Sequence, residues 1–395
     1  MQSETKYSKS EKSASALSDL KVLDLATFIA GPYCATFLAE FGADVVKVEL
    51  TGIGDPVRKF GTPTDCGDSL VWLSEGRNKR SIELDLRSSE GSNMLKKLVA
   101  EADVLCENFQ VGTLEKWGLG EDVLLAINPS LIIARVTAYG QTGPYKGRPG
   151  FGRIANAFSG ISYLCGDPDS PPASPGTATL SDYMSGVFAA LGVLVSVHYR
   201  RKTGEGQVVD IGLYESIFRI LDELAPAYAF NGFVRRRMGP GTVNAVPHSH
   251  YPTSDGLWVA IACTNDKIFN RLAILMDRRD VIGGGEFGTI EKRERHRSKV
   301  DAFVTHWTSG MTRDRILQVC EAAEVPCGPI YSIDEIFQDP QYEFRENLVT
   351  LVDERAGPIT VPNVCPRLSK TPGRVEWLGR KLGADTDAVF QDWLG

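Results

Sequence analysis

An aspartate set against an apolar run is the first chemical feature of this chain. Asp182 follows Ala178-Thr179-Leu180-Ser181 and precedes Val187-Phe188-Ala189-Ala190-Leu191-Gly192-Val193-Leu194-Val195, which reads as a buried helix. That order puts a carboxylate at a helix N-terminus, where unpaired peptide N–H groups and the macrodipole favour negative charge. Taken alone, Ser181 or Asp182 is a helix cap contributing ~1 kcal/mol. The cationic features are Lys79-Arg80, ahead of a strand pattern, and Arg235-Arg236-Arg237, upstream of His248 and His250. Each also has a plain reading as solvated charge. The two histidines lack the third ligand that a metal site needs. Gly283-Gly284-Gly285 has no strand leading into it and reads as a surface turn, not a phosphate loop.

The elements around these residues alternate. Leu20–Leu25 is a strand, Ala30-Gly31-Pro32 turns the chain into an apolar helix over 33–41, and Asp44–Glu49 is a second strand, which makes a βαβ unit with a right-handed crossover. The G-x-G-x-x-G fingerprint is missing. Glu49 stands where an acid would hold a ribose, or is merely solvated. Strand 80–86, helix 88–102, strand 104–109, helix 114–125, the apolar strand 131–137 and strand 207–211 continue the alternation, with a helix over 214–228. The pattern gives an α/β domain with a mostly parallel sheet, whose ligands bind beyond the strand carboxyl ends: 27–30, 49–54, 108–112 and 138–143. The Gly- and Pro-rich connection 142–176 is long enough to be functional. The expected organisation is a disordered tail over 1–18, a large Rossmann-like domain over 19–230, a smaller α+β domain over 231–327, and a segment 328–395 returning to the large domain.

Composition sets the outer limits. The chain has 395 residues with 43% hydrophobic and 24% charged residues and a net charge of −7, ordinary for a soluble globular protein. The negative balance argues against nucleic-acid binding driven by bulk charge. Eight cysteines show no C-x-x-C pair and no zinc spacing. With no signal sequence in view, reduced thiols in a cytoplasm are expected. The apolar run 187–197 is too short to cross a bilayer.

Taken together, the motifs resemble the class III coenzyme A transferases, the formyl-CoA transferase and carnitine CoA-transferase type, over residues 19–395. The likeness rests on Leu23-Asp24-Leu25 with Ala30-Gly31-Pro32, Phe41–Glu49, Gly54-Asp55, Asn78–Ser81, Glu107-Asn108-Phe109, Gly140–Pro144, Lys202–Gln207 and Val325–Pro329. The resemblance implies an interlaced dimer, a Rossmann-like domain built from both chain ends, and Asp182 as nucleophile. It implies coenzyme contacts at Thr27, Phe28, Ala30, Lys79, Arg80, Asn108, Phe109, Lys116, Ala138 and Tyr139. Around the acyl group it implies Ile29, Tyr139, Arg235, His248 and His250. Coenzyme A enters as a substrate; no permanently bound cofactor and no metal are expected. Ile29 and Leu50 replace a Gln and an Arg of the formyl-CoA enzyme, which disfavours formyl-CoA and oxalate. The cationic 231–251 segment points to an anionic acyl group, with succinyl-CoA as donor and a dicarboxylate such as malate, citramalate or a substituted succinate as acceptor.

Two other activities share this fold. A racemase needs an opposed acid and base at one carbon, and its histidine position is Phe151 here, which moves no proton. A non-catalytic CoA-binding subunit is disfavoured by Asp182. The expected partners are therefore an acyl-CoA, a carboxylic acid and a second chain, either a copy of this one or a homologous subunit, with neither nucleic acid nor membrane involved.

Overall fold

The computed structural model describes residues 15–395, which separate into two compact units. The first comprises the chain up to Ser162, Ser174–Phe233 and Gln341–Gly395; the second comprises Tyr163–Ala173 and Val234–Pro340. The chain thus makes an early excursion at 163–173 and rejoins the first unit at Gln341, not at 328. Most of the expected tail lies outside the described residues. Residues 15–18 are part of the fold: Leu17 packs on the core and its N–H donates to Phe41 O at 3.0 Å.

The first unit is built on a six-stranded, fully parallel sheet. Its strands are β1 (Lys21–Asp24), β2 (Asp44–Glu49), β3 (Lys79–Glu83), β4 (Val104–Glu107), β5 (Ile132–Thr137) and β6 (Val208–Gly212), in the order β3-β2-β1-β4-β5-β6. The order reverses direction between β1 and β4, the switch point at which doubly wound sheets bind ligands. Strand periodicity sorts the side chains into two layers. Val22, Val45, Val104 and Ile132 face the helices Ala30–Glu40 and Leu180–Thr203, while Leu23, Val46, Leu105 and Ile133 face Ser89–Glu101 and the C-terminal helix Thr386–Leu394.

Helix boundaries were less regular than the pattern implies. The 114–125 stretch divides into Thr113–Lys116 and Glu121–Ile127 because Gly118 takes a positive φ of 68°. The 214–228 stretch divides into Leu213–Arg219 and Leu224–Asn231 at Asp222, φ 40°. The Leu180–Thr203 helix runs for 24 residues, longer than its apolar core, and by length and composition alone it would cross a bilayer. In the fold it packs one face on β5, β6 and the Ala30–Glu40 helix, and its first turn carries Asp182.

In the second unit, β7 (His248–Pro252), β8 (Trp258–Ala262) and β9 (Cys327–Pro329) form an antiparallel sheet. Tyr251, Val259 and Ile261 pack on helices Asp266–Leu275, Arg297–Thr308 and Arg313–Ala322. The hairpin β10 (Leu348–Asp353) and β11 (Gly357–Pro362) belongs to the first unit. All eight cysteines are unbridged.

Candidate active site

Two adjoining cavities, of about 340 and 900 Å3, open past the carboxyl ends of β1, β2, β4 and β5. Both are lined by Thr27 and Phe109, so they form one groove along the switch point. The smaller holds Leu50, Ile53, Leu84, Arg87 and Trp117; the larger holds Phe28, Ile29, Ala30, Asn108, Ala138 and Asp182.

The loop after β1 is the groove's best-braced wall. Phe28 adopts φ 61°, a conformation that costs a non-glycine residue ~1–2 kcal/mol. Its N–H donates to Asp55 Oδ1 at 3.1 Å. The Asn108 side chain clamps the preceding residue from both sides, accepting from Thr27 N–H and donating to Thr27 O, each at 2.7 Å. Beneath the loop, Lys47 Nζ lies 2.9 Å from Asp55 Oδ2 and also donates to Ala26 O. Burial works against the Lys47 charge, but Asp24, Asp55 and Glu49 outweigh it and hold its pKa above the ordinary value.

This network corrects the expected roles of two cations. Lys79 is 2% exposed and its Nζ donates to Asp24 Oδ2 at 2.8 Å and Pro32 O at 2.7 Å. It is a structural counter-ion, not a phosphate ligand. Arg80 binds Asp44 Oδ1 and Oδ2 at 3.0 and 2.6 Å and Asp392 at 2.7 Å. Both residues begin β3, at the amino ends of a parallel sheet whose groove is at the carboxyl ends. Glu49 is not solvated: it is 3% exposed and accepts from Arg58 Nε at 2.7 Å and Ser81 Oγ at 2.7 Å while lining the smaller cavity.

Asp182 is the third residue of the Leu180–Thr203 helix, and Thr179, not Ser181, is the N-cap. The Thr179 hydroxyl donates to Asp182 Oδ2, and Ser181 Oγ donates to Gly152 O at 2.8 Å. Burial raises the Asp182 carboxyl above its ordinary value, and the Thr179 hydroxyl opposes that rise. Asp182 makes no ion pair among the described residues. Gly152, first residue of the Gly152–Ser159 helix, makes the space: a Cβ there would lie 2.3 Å from Asp182 Oδ2 and 2.5 Å from Thr179 Oγ1.

The other expected residues fall in different places. Ile29 is 7% exposed and packs with Trp72 and Leu378 while still lining the larger cavity. Phe109 stacks edge-on with Trp117, centroids 5.2 Å apart. Lys116 is exposed and lines neither cavity; its neighbour Trp117 lines the smaller one. Tyr139 belongs to an aromatic cluster with Tyr145, Phe158 and Tyr214, and Ala138 beside it faces the cavity. Arg235, His248 and His250 lie in the second unit. The histidines sit on strand β7, not in a loop, opposite Ala262 and Ala260. His250 is exposed and His248 half-buried. Arg237 in the same unit stacks over Tyr163 and donates to its carbonyl at 3.0 Å. Among the described residues no cluster of three His, Cys, Asp or Glu could hold a metal ion.

Sequence reasoning passed over Arg87 in the smaller cavity, and Lys146, Arg148, Arg153 and Thr179 in the larger. The available signal for the middle three was the Gly- and Pro-rich connection they fall in or close.

A doubly wound sheet with a ligand groove at its switch point, and a half-buried carboxylate in that groove with no ion pair among the described residues, describes an α/β enzyme acting on an extended ligand. The chain belongs to CoA-transferase family III, whose model matches residues 17–386, and it is an enzyme of the class III CoA-transferase type. It is 50% identical over 381 residues to the succinyl-CoA–L-malate CoA-transferase beta subunit of Chloroflexus aurantiacus, covering 96% of this chain and 94% of that one. It is 49% identical over 379 residues to an alpha subunit of the same enzyme from Chloroflexus aurantiacus, covering 96% of this chain and 89% of that one. Among solved structures, a CaiB/BaiF family protein from Brucella suis superposes with a TM-score of 0.84 at 32% identity, covering 96% of this chain and 99% of that one.

Proposed function

We propose that this protein transfers coenzyme A from succinyl-CoA to a dicarboxylic acid of the malate or citramalate type, through covalent intermediates on Asp182. The observation that carries the reading is the carboxylate itself: among the described residues Asp182 is the single carboxylate lining the larger cavity, held by a hydroxyl and no cation. An ion-paired carboxylate is a poor nucleophile, and this one is poised by burial instead. The relatives named for succinyl-CoA–L-malate and succinyl-CoA–D-citramalate transfer support the substrate class.

Asp182 attacks the thioester carbonyl, and the C–S bond breaks to give a mixed anhydride and the CoA thiolate. The thiolate attacks the Asp182 carbonyl carbon, releasing the donor acid and leaving an aspartyl-CoA thioester. The acceptor carboxylate attacks that thioester, and the thiolate then attacks the acceptor carbonyl, freeing Asp182. Each step forms an oxyanion that backbone N–H groups at the helix starts near Ala30 and Gly152 are suited to receive. The nucleotide end of the coenzyme takes the smaller cavity, with Arg87 meeting its phosphates; Asn108 and Asp55 act by holding the Thr27–Phe28 wall. Racemisation lacks its second acid–base group, since Gly152 stands beside Asp182 and the cavity-lining Phe151 moves no proton.

The Leu180–Thr203 helix leaves Val187, Leu191, Val195 and Tyr199 38–60% exposed at four-residue spacing. Such a stripe supports association with a second chain, either another copy or a homologous subunit. The test of function is a panel of acids with succinyl-CoA followed by mass spectrometry, with hydroxylamine or borohydride trapping. A modification at Asp182 only when acyl-CoA is present is expected. Transfer retained by Asp182→Ala sinks the reading.

A further inference from the structure

The larger cavity carries an unbalanced charge. Its lining includes Lys146, Arg148 and Arg153 but one carboxylate, Asp182, and none of these four is in an ion pair among the described residues. Two anionic groups enter such a groove, the coenzyme phosphates and any carboxylate on the acyl chain. The thioester end must lie at Asp182, and the connected smaller cavity is left for the nucleotide. The acyl group therefore shares the larger cavity with its cations.

Among the three, Arg153 has the clearest tie to the reacting atoms. It follows Gly152, whose missing side chain is the space the Asp182 carboxylate occupies. It is also out of place for helix stability. It stands second in the Gly152–Ser159 helix, whose first turn holds no acidic residue, and a cation there opposes the macrodipole. Arg148 is held differently, its guanidinium 3.7 Å above the Tyr145 ring. A four-carbon diacid esterified at one end carries its second carboxylate about 4 Å farther along, within reach of a guanidinium fork that binds carboxylates bidentately.

Resting on the transferase reading above, we propose that Arg153 is the specificity-determining residue that receives the distal carboxylate of the acyl group. The 235–250 segment of the second unit is then not required for that discrimination. Succinyl-CoA and butyryl-CoA differ by that carboxylate, and they are the probes. Dissociation constants for both are measured in an Asp182→Asn background, and kcat/KM in the active enzyme, each with Arg153 intact, Arg153→Gln, Arg153→Lys and Arg235→Gln.

With Arg153 intact the protein should bind and use succinyl-CoA better than butyryl-CoA. Arg153→Gln should remove about tenfold or more of that preference while changing butyryl-CoA by less than twofold. Arg153→Lys should retain part of it, and Arg235→Gln all of it. A preference that survives in Arg153→Gln, is lost in Arg235→Gln, or is absent from the parent protein overturns the assignment. Failure of the parent to transfer CoA at all would count against the proposed function alone, because the dissociation constants still decide the role of Arg153.

Discussion

Replacing Gly152 by alanine isolates the seat of Asp182, the proposed nucleophile. The added methyl would stand 2.3 Å from Asp182 Oδ2 and 2.5 Å from Thr179 Oγ1, where ordinary contacts are near 3.5 Å. The carboxylate must therefore move by about 1 Å. The backbone at Gly152 is outside the left-handed region, so alanine introduces no φ strain. In an open helix the change would stabilise by about 0.8–1 kcal/mol. Overpacking reverses that sign, costing ~1–3 kcal/mol. A 1 Å misplacement of a reacting group costs on the order of 100-fold. The expected result is a drop of that size in kcat with succinyl-CoA, a smaller change in KM, and a lower melting temperature. In an Asp182→Ala background one of the two collisions is gone, so the melting penalty of Gly152→Ala should shrink. Gly152→Ala with kcat within twofold of the parent, or with raised stability, would refute the close approach and with it the argument that Gly152 clears the nucleophile's place.

Other outcomes follow from the same contacts. Asp182→Ala should abolish transfer while CoA binding persists, read by turnover and by a binding titration. Thr179→Val removes the donor that opposes the upward push of burial on Asp182; the carboxyl then ionises at higher pH, so the acid limb of the kcat/KM profile moves up, while Thr179→Ser leaves it in place. Lys79→Met breaks a buried pair with Asp24 and should cost about 3–5 kcal/mol of stability in a denaturant titration, with equal effects on acyl-CoA and acyl-pantetheine. Arg87→Ala should raise KM for acyl-CoA more than it lowers kcat, and the effect should vanish with acyl-pantetheine, which lacks the nucleotide.

The sheet was legible because its signals are local and repeated: each strand alternates or runs apolar over four to six residues, and several connections end in a glycine or a cap, as at Ser88 and Gly212. Asp182 was legible for the same reason, as a carboxylate just ahead of an apolar helix. Charges were not. Lys79 reads as a solvated or phosphate-facing cation because nothing near it in sequence shows its partner; Asp24 is 55 residues away, two strands over in the sheet. Arg58 likewise meets Glu49, Asp68 and the carbonyl of Arg380, brought together only when the C-terminal segment folds back.

The same limit hid the seat of the nucleophile. Gly152 and Asp182 are each unremarkable where they stand, one opening a short helix and the other in the first turn of a long one. Their meaning lies in the register between those helices, fixed by Ser181 Oγ on Gly152 O and by the burial of Ala155 and Ala189 in one core. A buried carboxylate without a cation is a cost to the fold. Here the cost is limited to one carboxyl with a hydroxyl donor, at a site where a charged partner would quench the reactivity that the proposed mechanism requires. That conflict between stability and nucleophilicity is visible only once both helices are in place, and under the proposed mechanism it accounts for Asp182, unlike the buried acids beneath the β1 loop, having no lysine or arginine partner among the described residues.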